Sequence, residues 1–307
     1  MIEYDTRRWT SILTRVHGSV LPRIWWRVLL VAVVATALTF AQLWVHIEFP
    51  TSSVLHSIVG VALGLLLVFR TNSSYDRYWE GRKIIGHMVN RSRNLARQAA
   101  SYLSESPADV RRRVGCYTIA YFAVIRRSLR RERETSELDQ LLSPAERAVL
   151  LHSSAPPLLV ARWISDVLQA EAMAGRLNDR LLVSLDNNIC EMNDRWGDAE
   201  RILKTPVPFA YAHHIKGFLM VFCLTVPVSL IGSMGWFTPL GAMIVAYGLL
   251  GIDEIGVEIE EPFGYDANDL PMDGIGATIT RNVCDALDID ASELLPPPEP
   301  VLNGVYR

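Results

Sequence analysis

Phe69-Arg-Thr-Asn-Ser-Ser-Tyr-Asp-Arg-Tyr-Trp-Glu-Gly-Arg-Lys83 follows an apolar run without a break, and together they read as one helix leaving a membrane. The run before it, Val54 to Phe69, places small Gly60 and Gly64 on one face and large Val61, Leu65 and Phe69 at a spacing of four. Such a stripe can line a narrow apolar constriction. The join at Phe69 is then where that constriction meets the cytosol.

Working outward, the chain has 307 residues, half of them hydrophobic, and a net charge of −3. That balance gives no general reason to expect nucleic acid as a partner. Segregation is more telling than composition. Val28 to Val45 is eighteen residues without a charge, close to the roughly 20 that cross a bilayer core as a helix, and Arg23 and Arg27 flank its start. Gly217 to Ile252 is also uncharged, but one helix of that length would overshoot a bilayer. Gly232, Gly235 and Pro239 supply a break, which predicts a helical hairpin of about Pro208 to Ile231 and Pro239 to Glu254.

The links His46 to Ser53 and Gly232 to Thr238 carry no Lys or Arg, whereas the long segment from Arg70 to Lys204 is rich in both. By the positive-inside rule the long segment and both termini are expected in the cytosol. The expected fold is an all-α membrane protein with four transmembrane helices and a large cytosolic helical bundle. Its divisions are a cytosolic N-terminal arm (1–22), two membrane helices (23–80), a cytosolic helical domain (81–206), two further membrane helices (207–260) and a cytosolic tail (261–307). Within the bundle, Gly115 to Ile125 is too short to span and reads as a buried core helix. Pro144 and Pro156-Pro157 mark helix starts, and Asn178 to Leu203 reads as a long polar-faced helix. Pro296 to Pro300 ends regular structure.

Three separated motifs, in order, are similar to the bacterial branch of the bestrophin ion channel family: Phe69 to Trp79, with Arg70, Arg77, Tyr78 and Trp79; Thr205-Pro-Val-Pro-Phe-Ala-Tyr211, with Pro206 and Pro208; and Glu260 to Pro271, with Pro262, Phe263 and Gly264. The resemblance implies a homopentamer around an axial pore in the bacterial inner membrane, with a hydrophobic neck and a cytosolic vestibule. It places the neck eight, twelve and sixteen positions before Arg77, on Phe69, Leu65 and Val61. The partners it implies are other copies of the chain, the lipid bilayer and small monovalent ions. A second, cytosolic constriction is implied near Asp179 to Leu182.

An apolar constriction gates by dewetting and does not read charge, so selectivity has to come from its diameter and from polar groups beside it. Asn72 and Asp76 continue the stripe; a ring of Asp76 would favour cations, whereas pairing with a nearby Arg would cancel that field. The expectation is a channel for monovalent cations. The alternatives are an anion (chloride) channel of the same architecture and a membrane-anchored interaction protein without conduction.

The acidic run Asp253, Glu254, Glu258, Glu260 and Glu261 reads as a paired interface opposite the Arg-rich first cytosolic helix. Asp266 and Asp269 match part of the acidic loop with which animal bestrophins hold calcium. Tyr265, Ala267 and Asn268 interrupt it here, so a turn role is expected and no metal. Cys116, Cys190, Cys223 and Cys284 form no ligand spacing, and His213-His214 point about 100° apart on a helix. Lys216 is expected to snorkel. The basic patch Arg126 to Arg133 is expected to face solvent, headgroups or acidic partners. No P-loop, GxGxxG, HExxH or nucleophile elbow occurs, so neither an enzyme nor a cofactor is expected.

Overall fold

The computed structural model describes residue 5, residues 7–47, residue 49, residues 53–132 and residues 136–294. Arg133 of the basic patch and the Pro296–Pro300 segment lie outside them. The order of helices is α1 (Trp9–Leu13), α2 (Leu21–Leu43), α3 (Ser53–Tyr102), α4 (Ala108–Arg130), α5 (Pro144–Leu151), α6 (Pro156–Met173), α7 (Asp179–Lys204), α8 (Phe209–Met234), α9 (Thr238–Glu258) and α10 (Met272–Leu287), with no strand among the described residues. The chain forms two compact units, one from Tyr4–Tyr78 and Pro206–Glu261, the other from Trp79–Thr205 and the residues from Pro262 onward. The division after α3's apolar part thus falls at Tyr78, two residues before the expected 80/81 boundary.

The first unit is apolar. Among the described residues three stretches are long and apolar enough to cross a membrane, namely Leu21–Leu43, Ser53–Tyr102, whose apolar half lies in this unit, and Phe209–Glu258. The last is interrupted by a 3-10 turn, Gly235–Phe237, and Gly235 takes φ +52°, where a side chain would strain the backbone. The two halves, α8 and α9, pack on each other, as the glycines and Pro239 predict.

The unit's core follows from helical periodicity. Ile24, Val28, Val31 and Ala35 recur every three or four residues on α2, and they meet Leu63 and Leu67 of α3, Leu219, Phe222 and Val226 of α8, and Ala242 and Ala246 of α9. Alanines at these crossings let helix backbones approach closely, which is how apolar segments associate when lipid competes equally for large side chains. Away from that face α2 exposes Trp25 and Trp26 at one end, and Trp44 is exposed at the other. Nineteen residues of helix separate Trp25 from Trp44, about 28 Å. That matches the span between the aromatic belts of a bilayer.

The second unit is centred on α4, whose Tyr117 to Phe122 segment is buried against α6 and α10. Two of its helices, α5 and α7, start at residues that cap them. Ser143 Oγ accepts the Glu146 N–H while Glu146 caps the Ser143 N–H, and Asn178 Oδ1 accepts the Arg180 N–H at 2.9 Å. One expectation fails here. The segment expected to be a tail contains α10, which buries Ile279, Val283, Cys284 and Leu287 in this unit's core. These positions recur at helical spacing, so α10 is amphipathic and α4 supplies the apolar surface it needs.

Candidate functional site

α3 runs unbroken for 50 residues. In its apolar half, Val61, Leu65 and Phe69 are 76%, 56% and 56% exposed, whereas Leu63, Leu67 and Arg70 are at most 2% exposed. At 3.6 residues per turn, Val61 and Phe69 fall within about 40° of Leu65, and Leu63, Leu67 and Arg70 roughly 140–160° away. The packed face therefore lies opposite the stripe. Val54 and Ile58 extend that stripe, and Asn72 and Asp76 follow it, all four exposed. Asp76 makes no ion pair among the described residues of the single chain.

The motif residues divide between holding and exposure. Arg70 is buried against Asp253 (3.3 Å) and Glu260 (3.6 Å). Arg77 Nε donates to the Glu260 carbonyl at 3.2 Å. Pro208 occupies the position just before α8, and the Val207 N–H preceding it donates to Glu260 Oε1 at 3.0 Å. Pro206 is exposed, and Tyr78 is half-buried. The exposed Trp79 ring carries Lys83 Nζ at 5.9 Å from its centroid.

Four carboxylates of the acidic run are paired and Glu261 is exposed; Arg70, at the head of the Arg-rich segment, takes two of them, and arginines of α2 take the other two. Glu254 accepts from Arg27 at 3.1 Å, Glu258 lies 3.5 Å from Arg23, and Asp253 and Glu260 face Arg70. These arginines stand on α2 and in the apolar half of α3. The physical reason is depth: carboxylates on the last turns of α9 and just past its end meet whatever cations flank the neighbouring apolar segments.

In the second unit, Phe263 is fully buried, and a Cβ on Gly81 would stand 2.8 Å from Pro262 and 3.2 Å from Phe263. Gly81 is therefore a close-packing position that sequence reasoning passed over, although it lies in the quoted stretch. Asp269 is buried and its Oδ2 accepts the Asp266 N–H at 2.8 Å, while Asp266 itself is exposed. A Cβ on Gly264 would come within 2.7 Å of that same Oδ2. Among the described residues no group of three or more His, Cys, Asp or Glu is placed to hold a metal.

In the basic patch Arg126, Arg127 and Arg130 are bound internally, and Arg131 is exposed. Arg130 chelates Asp273 through Nη1 (3.0 and 2.8 Å), donates to the Phe263 carbonyl at 3.3 Å and lies 4.1 Å over Tyr265. Arg126 pairs with Asp273 at 2.6 Å and with Glu137. Asp179 and Arg180, where a second constriction is expected, are exposed at the start of α7, with Leu181 and Leu182 half-buried behind them. Lys216 is exposed on α8.

With this geometry the chain can be set beside known proteins. Residues 1–285 match the family described as Bacterial/Fungal Bestrophin protein. A voltage-dependent anion channel-forming protein of Nostoc is 41% identical over 284 residues, covering 91% of this chain and 92% of that one. The voltage-dependent anion channel-forming protein YneE of Escherichia coli is 30% identical over 295 residues, 96% of this chain and 94% of that one. The crystal structure of a bacterial bestrophin homologue from Klebsiella pneumoniae, 30% identical, superposes with a TM-score of 0.82 and covers 87% of this chain and 99% of that one. Motifs, helical fold and whole-length similarity agree, and the chain belongs to the bacterial and fungal bestrophin family.

Proposed function

We propose that this chain is the subunit of a homopentameric anion channel in the bacterial inner membrane, whose neck is formed by Val61, Leu65 and Phe69. The observation that carries the reading is the exposed apolar stripe of α3, opposite the face that packs into its own unit. One stripe cannot enclose an ion path, so several copies around an axis are required, and the family resemblance supplies the number five. Crossing four times, with α8 and α9 as separate spans, leaves both termini and the Arg-rich segment on the cytosolic side.

The sign of the ion is revised from the sequence expectation. Relatives of this length are named anion channel-forming proteins, which points to anions rather than to cations. Lys83 and Arg97, exposed on the cytosolic half of α3 and in no ion pair among the described residues, support the same sign. A second reading rests on one observation: Asp76, exposed just beyond the stripe and likewise unpaired, would concentrate cations there.

Reversal potential under a KCl gradient, with purified chain in liposomes or planar bilayers, decides between them. A shift toward the chloride equilibrium potential is expected. A shift toward potassium that disappears in Asp76→Asn would establish the second reading, and a chain that passes no ion would leave a membrane-anchored interaction protein.

A further inference from the structure

Arg70 follows Phe69 directly, yet it points into the packed interior of the apolar unit, where 2% of its side chain is exposed. Its Nε lies 3.3 Å from Asp253 Oδ1, and Asp253 is equally buried; its Nη2 lies 3.6 Å from Glu260 Oε2. Asp253 stands on the last two turns of α9, and Glu260 lies in the turn just past the helix end at Glu258. Between them Gly256 has no side chain, and a Cβ there would sit 3.5 Å from Arg70 Nε and 3.7 Å from its Cγ. The Arg70 side chain therefore crosses α9 at a glycine and reaches a carboxylate on either side of it.

These contacts are loose. Arg70 Nε and Nη1, Asp253 Oδ1 and Ser74 Oγ are buried without a hydrogen-bond partner, and well-formed charge-assisted bonds are shorter, at about 2.7–2.9 Å. An apolar side chain would fill the same space without the cost of desolvating a charge. Glu260 meanwhile holds α3 a second time: its carbonyl accepts from Arg77, seven residues beyond Arg70 and on the same side of the helix, and its carboxylate holds the Val207 N–H before α8.

We propose that Arg70 is a positioning residue for the neck: its pairing with Asp253 and Glu260 sets the rotation of α3 about its own axis, and so the direction in which Val61, Leu65 and Phe69 point. The half-used guanidinium fork lets α3 turn slightly while the pair persists, so the neck has more than one angular setting. This rests on the reading of the stripe as the neck.

The test is single-channel recording of the reconstituted full chain, using protein whose oligomer matches wild type by native mass measurement. Arg70→Lys keeps the charge but loses the planar fork. Glu260→Gln, at a partly exposed position, keeps an acceptor for Val207 but loses the charge. Arg70→Gln combined with Asp253→Asn removes the two fully buried charges together, and Glu260, 18% exposed, keeps the Val207 N–H. Open probability is expected to change about fivefold or more in Arg70→Lys and in the double variant, and by less in Glu260→Gln. Unitary conductance stays within about twofold, because the neck side chains are untouched.

A purely structural role gives the opposite pattern: Arg70→Lys melts at lower temperature, the double variant recovers, and every assembled variant opens as wild type does. That result overturns the proposal, and Glu260→Gln and the double variant deliver it even if Arg70→Lys does not assemble. A conducting wild type with unchanged variants refutes this proposal alone. A wild type that passes no ion refutes the channel reading and this proposal with it.

Discussion

Arg27 Nη1 donates to Glu254 Oε2 at 3.1 Å, and four residues back on α2 and four forward on α9 Arg23 stands 3.5 Å from Glu258. The matched steps of four are the register of two antiparallel helices, and they tie the charged end of α2 to that of α9. The partners differ in burial: the Glu254 side chain is 9% exposed and that of Arg27 is 27%. Removing either leaves the other unpaired, but an arginine can extend its charge toward water and a buried carboxylate cannot. Arg27→Ala should therefore cost ~3–5 kcal/mol and Glu254→Ala clearly less. Replacing both by leucine should cost less than the sum of the two. Thermal unfolding of the solubilised protein, arranged as a double-mutant cycle, measures the difference; equal single costs would show that both charges reach water.

How far the sequence could be read depended on whether the signal was local. The unbroken helix through Phe69, the reversal at Gly235 and the helix starts at Pro144 and Pro156 rest on residues a few positions apart, and they stand where expected. Exposure of Val61, Leu65 and Phe69 was legible for the same reason, since helical spacing sorts faces. The fate of single charges was not. Nothing near Arg70 announces Asp253, and nothing near Arg130 announces Asp273, 143 residues away. α10 carried its apolar period openly, yet a short amphipathic helix is stable only against a partner surface, and that surface belongs to α4.

A pH dependence follows from Glu171. Its carboxylate accepts from Arg176 Nε and Nη2 at 2.7 and 2.8 Å and from Ser106 Oγ at 2.6 Å. The Arg176 bonds foremost hold it below the ordinary glutamate value, against the burial that opposes them. Because the folded value is depressed, the stabilisation is fully present above the unfolded value of about 4.3 and is lost as pH falls through the folded value. Glu171→Gln should lower the melting temperature at pH 7, and its deficit against wild type should shrink as pH falls below about 4. A deficit independent of pH would mean that the ionised form is not what the contacts stabilise.

The neck gives a prediction on conductance. Replacing Val61, Leu65 and Phe69 together by alanine widens and hydrates the constriction, so unitary conductance should rise by roughly twofold or more. Phe69→Ala should have the largest single effect, being the bulkiest of the three. Because all three side chains are exposed in the protomer, its folding should change little. Unchanged conductance in an intact oligomer would place the constriction elsewhere on the path, the start of α7 at Asp179 to Leu182 being the next position to test.

Calcium should not gate this channel. Asp269 is the one buried carboxylate of the Asp266–Asp269 segment, and its Oδ2 is engaged by the Asp266 N–H at 2.8 Å. The Asp269 N–H returns to the Asp266 carbonyl at 3.0 Å, and the Leu270 N–H to the Pro262 carbonyl at 2.9 Å. The carboxylate closes a turn, and a hard divalent ion needs six or more oxygen ligands, several of them charged. Ion flux should therefore be equal in chelator and in micromolar calcium. Asp266→Ala, at an exposed position, should leave both flux and stability near wild type, whereas Asp269→Ala should cost ~1–3 kcal/mol by leaving the Asp266 N–H without that acceptor. Gly264→Ala should resemble Asp269→Ala, because its new methyl group would come within 2.7 Å of Asp269 Oδ2 and push the carboxylate off the turn. Calcium that opens the wild-type channel steeply, with the response lost in an assembled Asp266→Ala, Asp269→Ala variant, would mean that these carboxylates rearrange around a cation rather than fix a turn.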